Sequence, residues 1–357
     1  MNFKQPNFNQ PFKSDKKRYL SVIFFVLAAM GVLYFIPMLG LGEHSIDVAS
    51  EGQTNLWQKM ANIFSSSETG AKEPTIDDDP DYTMPKSDDG RWDLLVMGMR
   101  GEDQKDADTT GALLTDSIML ISYDQKTGKT SMVSIPRDLY LRIYGTKKDK
   151  INVVYEMGLY RGGSGLNFAK KLFSRITGVY IDSVVIIDFS AFDQIITELG
   201  GVDITLDKPF SEKQQWGYEF SLPAGKNHLD AEQALYYARS RFSSSDFDRA
   251  ERQQKIIMAL KDKITAMNIL SDPVRTLSIL NTLRNNIKTD LDIWDIGSLI
   301  TLSNKFKDAG NVKKYVMTTE NLLYESHVQT NVGNLYILLP KEDNLQGIKQ
   351  MFRDILK

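Results

Sequence analysis

The sequence predicts an α/β protein, with a mixed central sheet flanked by helices and one membrane-spanning helix ahead of it. Three observations carry this. After residue 90, short apolar runs with strand character alternate with longer runs of helical periodicity. Two of the strand runs, 117–123 and 130–135, are joined by DQKTGK, a hairpin connection, so the sheet contains an antiparallel pair. Residues 20–41, LSVIFFVLAAMGVLYFIPMLGL, carry no charge, and a bilayer core takes roughly 20 apolar residues of helix.

The N-terminal region divides by composition. Residues 1–18 are polar and basic, a cytoplasmic tail; 19–42 form the span. Lys13, Lys16, Lys17 and Arg18 precede it and Glu43, Asp47 and Glu51 follow, so the positive-inside rule puts the rest of the chain outside the cytoplasm. A cleaved signal peptide is the competing reading; its apolar region is usually shorter, and no clear small-residue cleavage site follows here. Pro37 falls near the outer end, where a kink is tolerable. Residues 43–90, rich in Asp, Ser and Pro, read as an extracytoplasmic linker. The Asp77–Asp79 run reads as part of that linker rather than a calcium site, and 56–64 could form a short amphipathic helix at the membrane surface. Residues 91–357 form the folded domain.

Within the domain, 92–97 reads as a buried strand. Gly128 suits the left-handed position of the hairpin turn. A helix over 167–177, a strand over 183–188 and a helix through Leu199 follow, stopped by Gly200 and Gly201. Residues 202–206 are extended. Asp230 with Gln233 forms a capping-box pattern, and a long helix starts at Asp246. Further helices are expected over 273–285, 294–306 and 344–356, with extended segments at 315–318 and 335–338. The run from Gly162 to Gly165 lacks a following Lys-Ser/Thr and reads as a loop.

Composition excludes several chemistries. The 357 residues carry a formal net charge of −3 and no cysteine, which removes disulfides, thiolate metal sites and cysteine nucleophiles and gives no support to nucleic-acid binding. The three histidines, His44, His228 and His327, lie near no nucleophile motif, and there is no G-x-S-x-G, H-E-x-x-H or Walker A sequence.

The residues that carry chemistry fall in two places. The window 236–254, YYARSRFSSSDFDRAERQQ, holds Arg239, Arg241, Arg249 and Arg252 with Asp246, Asp248, Glu251 and Gln253. On a helix from Asp246, at about 100° per residue, Arg249 and Gln253 share a stripe with Ile256, Leu260 and Met267, with Arg252 on its flank. An arginine aimed at a core needs a partner, and a phosphate held by guanidinium forks at a helix N-terminus is one solution. A salt-bridge lattice with the neighbouring acids is the other. The second place is the open end of the hairpin. Asp116 lies at the mouth of its first strand. Pro136 ends its second, leaving Arg137 and Asp138 on the loop, and antiparallel pairing sets the start of one strand beside the end of the other. Lys150 and Asn152 follow in a polar segment, and Asp103 lies upstream in GEDQKDAD. Carboxylates such as Asp103 and Asp116 suit Mg²⁺ bridging phosphate oxygens, and arginines neutralise charge in phosphoryl transfer.

Several ordered motifs, DLLVMGM, LLTDSIMLISYD, VSIPRDLYL, KIN, ELGGVDITL, LPAGKNHLDAEQALYYARSR and DFDRAERQQ, resemble those of the LytR-CpsA-Psr family across about residues 92–270. The resemblance implies an α/β sheet with an apolar pocket for a polyprenyl tail. It implies a membrane-anchored phosphotransferase on the extracytoplasmic face of the cell membrane, moving a glycopolymer such as teichoic acid or capsular polysaccharide. The donor is a polyprenyl-pyrophosphate-linked glycan; the acceptor is a peptidoglycan or other envelope sugar hydroxyl. Carried over by motif, Arg137, Arg239, Arg241, Arg249 and Gln253 hold the pyrophosphate, with Arg252 behind them. Asp116, Arg137, Arg239, Asp246 and Arg249 are catalytic, Asp246 by orienting an arginine or assisting the acceptor hydroxyl. Asp103 and Asp116 hold Mg²⁺ or Mn²⁺, with Asp106 and Asp108 as alternatives to Asp103, while Lys150 and Asn152 shape the loop. One departure stands out: the family often has an arginine two residues before the motif aspartate, and here that position is Leu114. A non-catalytic binder of the same lipid and a metal-dependent pyrophosphatase are the other functions this equipment allows.

Overall fold

The computed structural model describes residues 83–101, 111–160, 164–267, 273–293, 312–330 and 333–357. The predicted tail, membrane span and nearly all of the linker lie outside the described residues, as do Asp103, Asp106, Asp108 and the helix expected over 294–306. Among the described residues no helix is long and apolar enough to cross a membrane.

Strand β1 (Arg91–Met99) is apolar on both faces and buried along its length after Arg91, as a strand covered from both sides must be. It pairs antiparallel with β2 (Thr115–Asp124) and parallel with β6 (Ser183–Ile187). The expected hairpin joins β2 to β3 (Thr130–Ser134). In its turn Gly128 takes a φ of 70°, and the Asp124 carboxylate accepts from the N–H groups of Lys126 and Thr127 at 2.8 Å. With β11 (Ile287–Thr289) antiparallel to β6 and β12 (Val312–Val316) parallel to β3, the sheet reads β11-β6-β1-β2-β3-β12. It is the mixed sheet the sequence predicts.

Period-two alternation sends Trp92, Leu94 and Val96 to one face and Leu95, Met97 and Met99 to the other. The first face is covered by α3 (Phe189–Glu198), α4 (Ala231–Arg239), α5 (Asp246–Ala266) and α6 (Pro273–Leu283). The second is covered by α1 (Val154–Tyr160), α2 (Gly165–Thr177) and α7 (Gln346–Asp354). Local signals set the helix starts. Asp230 and Gln233 form the full capping box of α4. Asp248 N donates to Ser245 Oγ and Ser245 N to Asp248 Oδ2, at 3.0 and 2.8 Å, opening α5 at the expected residue. Gly200 and Gly201 both take positive φ after α3.

The structure adds elements the sequence pattern hides. These are α1, the hairpin of β4 (Tyr140–Tyr144) and β5 (Lys147–Lys150), the pair β8 (Phe210–Glu212) and β9 (Phe220–Leu222), β10 (Gly225–Leu229) beside β7 (Val202–Leu206), and β13 (Leu323–Thr330) beside β14 (Gly333–Pro340). Segments such as KKDK and LYESHVQT carry little apolar alternation, so only their partners define them as strands. The helix expected over 273–285 ends at Leu283 and passes through a 3₁₀ turn, Arg284–Asn286, into β11.

The expected apolar pocket is not open beneath α5. Ile256, Ile257 and Leu260, and Val96, Met119 and Ile121 opposite them, have 0 % accessible surface.

Candidate functional site

The start of β2 and the ends of β1, β3, β6 and β12 fall at one end of the sheet. Asp116 sits there, buried. Its Oδ2 is 3.1 Å from Arg137 Nη1, and its Oδ1 accepts from Asn152 Nδ2 at 3.1 Å. Asn152 lies in the 3₁₀ turn Ile151–Val153, whose position is fixed by Thr115 Oγ1 donating to the Asn152 carbonyl at 3.1 Å. Arg137 Nε lies 3.5 Å from Asp138 Oδ2 and 4.0 Å from Asp246 Oδ2. Lys150 Nζ reaches Asp138 at 2.5 Å. Lys150 therefore holds the loop that carries Arg137, Asn152 braces Asp116 beside it, and Asp138, an acid on the loop with no role assigned from sequence, joins the cluster.

Helix α5 brings the other half. Arg249 and Gln253, one turn apart, face the sheet at 3 % and 4 % exposure. Arg249 Nη2 is 2.6 Å from Asp246 Oδ2 and makes a longer contact, 3.5 Å, to the Asp116 carbonyl. Ser117 Oγ donates to Gln253 Oε1 at 2.9 Å. Gln254 Nε2 donates to Ser134 Oγ and to the Tyr315 carbonyl, each at 2.9 Å. The helix is thus pinned across β2, β3 and β12. Between it and the strand ends lies a narrow cleft bounded by Asp116, Ser134, Arg137, Asp246, Arg249 and Gln253.

The charges of this cleft are unevenly compensated. Burial works against the Arg137 cation, but Asp116, Asp246 and Asp138 together raise its pKa above the ordinary value. Arg241 fares differently. Its backbone N–H donates to Gln215 Oε1 at 2.8 Å, while burial and then the like charge of Arg137 lower its pKa, against the opposing pull of Asp246, Asp116 and Asp138. Its Nε is buried with no hydrogen-bond partner among the described residues. Burial also pushes the Arg249 pKa down to about 10, with Asp246 opposing and Arg137 adding to the fall. Three guanidinium groups share three carboxylates, Asp116, Asp138 and Asp246, and Arg241 and Arg249 are less stable as cations there than in water. An anion entering the cleft would reverse that.

The depressed Arg249 value gives a pH prediction. A cation whose folded pKa is lowered loses its charge early as pH rises, so anion binding should be full near pH 8 and fall through about pH 10. Inorganic phosphate keeps its double charge across this range. The increase in Tm that phosphate gives the protein is expected to shrink by more than half between pH 8 and 10.5. A constant increase would place the anion elsewhere.

Two predicted arginines are held by other groups. Arg239, the last residue of α4, lies between the Phe189 and Trp216 rings, 5.3 and 4.9 Å from their centroids, a cation–π clamp. The structure does not bring Arg252 to the cleft. Its Nε donates to the Tyr237 carbonyl at 3.0 Å, and its Nη2 donates to the Ser240 carbonyl and to Ser244 Oγ, the latter at 2.9 Å. Its guanidinium also stacks over Phe210 at 5.2 Å. Three residues beyond Arg249, it is turned about 60° round the helix, which points it at the last carbonyls of α4. The sequence could not show this, because backbone carbonyls have no side-chain signature.

Among the described residues no group of three acidic or histidine side chains could hold a metal. Asp116 fits as one hard oxygen ligand: each of its oxygens accepts one partner, and a carboxylate oxygen has a second lone pair.

Fold and site together define a three-layer α/β protein with an arginine-lined cleft at one end of a mixed sheet. The chain belongs to the LytR_cpsA_psr family, whose model matches residues 54–353. It is similar to the regulatory protein MsrR of Staphylococcus aureus (strain COL), at 30% identity over 271 residues, 75% of this chain and 76% of that protein. It is equally similar to a protein of Oceanobacillus iheyensis named polyisoprenyl-teichoic acid–peptidoglycan teichoic acid transferase TagU: 30% over 253 residues, 70% and 73% of the two chains. The crystal structure of B. subtilis TagV superposes with a TM-score of 0.54 at 25% identity, covering 77% of this chain and 98% of that one. The family resemblance read from the motifs holds, and relatives named as transferases agree with the expectation of an enzyme.

Proposed function

We propose that this chain is a membrane-anchored phosphotransferase that moves a glycopolymer from a polyprenyl-pyrophosphate carrier to a cell-wall sugar hydroxyl. The observation that carries the reading is the under-compensated pair Arg241 and Arg249 in a cleft already braced by Asp116 and Arg137. A pyrophosphate there would stabilise both cations and gain guanidinium hydrogen bonds. Arg137, Arg241 and Arg249 would grip its oxygens, with Arg239 and Gln253 beside them.

The carboxylate suited to the acceptor is Asp246. It is 2.6 Å from Arg249, yet its side chain is 31 % exposed, so an incoming hydroxyl can reach it. In the proposed step the acceptor oxygen bonds to the phosphorus carrying the glycan, the pyrophosphate bridge bond breaks, and polyprenyl phosphate leaves. The hydroxyl proton passes to Asp246. A Mg²⁺ or Mn²⁺ ion held by Asp116 and, from the sequence, Asp103 would neutralise charge on the phosphate oxygens. The prenyl tail would enter by parting the packed layer between the sheet and α5. Residues 19–42 would anchor the protein, and a linker of roughly 48 residues spans about 40 Å at about 5–6 Å times the square root of its length, which lets the domain extend from the membrane towards the wall.

A non-catalytic regulatory binder is the second reading, favoured by Leu114 at the position of the family arginine and by a relative named as regulatory. One assay separates the alternatives: the full-length protein, a polyprenyl-pyrophosphate-linked glycan, and peptidoglycan oligosaccharide present or absent. Release of polyprenyl phosphate only with acceptor supports transfer. Equal release in water alone supports a pyrophosphatase, and tight binding with no release supports the regulator.

A further inference from the structure

The β13–β14 ribbon stands outside the six-stranded sheet but is fastened to the site. Leu338 N donates to the Asp138 carbonyl at 2.9 Å, and Leu338 also bridges Leu139. The base of β14 is therefore fixed on the loop that carries Arg137 and Asp138. The register sets Glu325 opposite Leu338, His327 opposite Tyr336 and Gln329 opposite Asn334, and alternation puts these six on one face. Beyond the buried Leu338 that face opens to solvent: Glu325, His327, Gln329 and Asn334 are exposed, and Tyr336 is half-buried.

The two rings form one unit. Their centroids are 5.7 Å apart at 76°, and Tyr336 Oη donates to Glu325 Oε1 at 3.3 Å. Tyr336 lies two residues, about 7 Å, along the strand from Leu338. Burial and Glu325, then Asp138 and Asp246, push its phenol pKa up to about 12, so its ring is within electrostatic reach of the exposed acid of the cleft. The face carries no lysine or arginine, in contrast to the cleft. Aromatic rings flanked by a carboxylate and two carboxamides match a neutral ligand with an apolar flank and many hydroxyl or amide groups, rather than a phosphate.

We propose that this face of the β13–β14 ribbon, centred on Tyr336 and His327, is the acceptor subsite, binding a neutral wall saccharide and presenting its hydroxyl to Asp246. The proposal rests on the transferase reading for the identity of the sugar.

The test measures binding without turnover. The full-length protein in detergent is titrated calorimetrically with a neutral N-acetylglucosamine tetrasaccharide and, separately, with inorganic phosphate. His327→Ala and Tyr336→Ala are each expected to weaken saccharide binding about ten-fold while moving the phosphate Kd less than two-fold. His327 is exposed, so its variant stays informative even where Tyr336→Ala loosens the ribbon. Unchanged saccharide affinity in His327→Ala, no saccharide binding by the wild type, or equal losses for both ligands would each overturn the subsite. Saccharide binding that depends on His327 in a protein that never transfers glycan would sink the transferase reading and leave the subsite standing.

Discussion

Replacing Arg249 with alanine is expected to lower glycan transfer at least about a thousand-fold, the range in which a transition-state arginine acts in phosphoryl transfer, while the domain stays folded. The stability claim follows from the local charges. Arg249 is 3 % exposed and its cation is already disfavoured by burial and by Arg137. Its loss would relieve that repulsion. The partner left behind, Asp246, is partly solvated and still 4.0 Å from Arg137, so no buried acid is orphaned and the loss should be smaller than for a fully buried ion pair. Arg249→Lys keeps a charge but loses the guanidinium fork, and should recover little activity. Steady-state transfer kinetics beside a urea melt check both halves. Near-normal transfer in the alanine variant would remove the cleft from the mechanism.

Arg252→Ala should do the opposite, keeping the chemistry and weakening the fold. Three hydrogen bonds from one guanidinium tie α5 to the end of α4 and to Ser244 in the loop between the two helices. Without it, the Tyr237 and Ser240 carbonyls lose a charged donor at a buried position, a loss of about 3 kcal/mol at the usual cost of such bonds. For a domain of this size that is a fall in Tm of roughly 6–12 °C, measurable by calorimetry. Transfer at 20 °C should stay within a few-fold of wild type. A normal Tm with activity abolished would instead put Arg252 on the substrate, as the family motif suggests.

These two arginines, three residues apart, show how far the sequence could be read. The meeting of Asp116 with Arg137 follows from antiparallel pairing and from Pro136, and the inward face of Arg249 and Gln253 follows from helical period. Both rest on rules that act within one element or one hairpin. The helix starts at Asp246 and after Asp230 were legible for the same reason, since their caps lie within three residues. What stayed hidden depends on packing between distant segments. Arg252 is fixed by carbonyls of another helix. Asp138 enters the cluster through Lys150 on β5, whose sequence KKDK is too polar to show as a strand. Strand β13, opposite Tyr336, is defined by its partner strand rather than by its own pattern. The closed layer beneath α5 is likewise a matter of packing, invisible in a list of apolar residues.

The central claim is that the arginine cleft holds the pyrophosphate of a prenyl-linked donor. The most direct measurement is native mass spectrometry of the full-length protein extracted in mild detergent, with and without added polyprenyl pyrophosphate. The account predicts a bound polyprenyl phosphate or pyrophosphate on the wild type that is lost in an Arg241→Ala/Arg249→Ala double variant of unchanged fold. A folded wild-type protein that carries no such lipid and takes up none when it is offered would contradict the account and leave the arginines as a structural lattice.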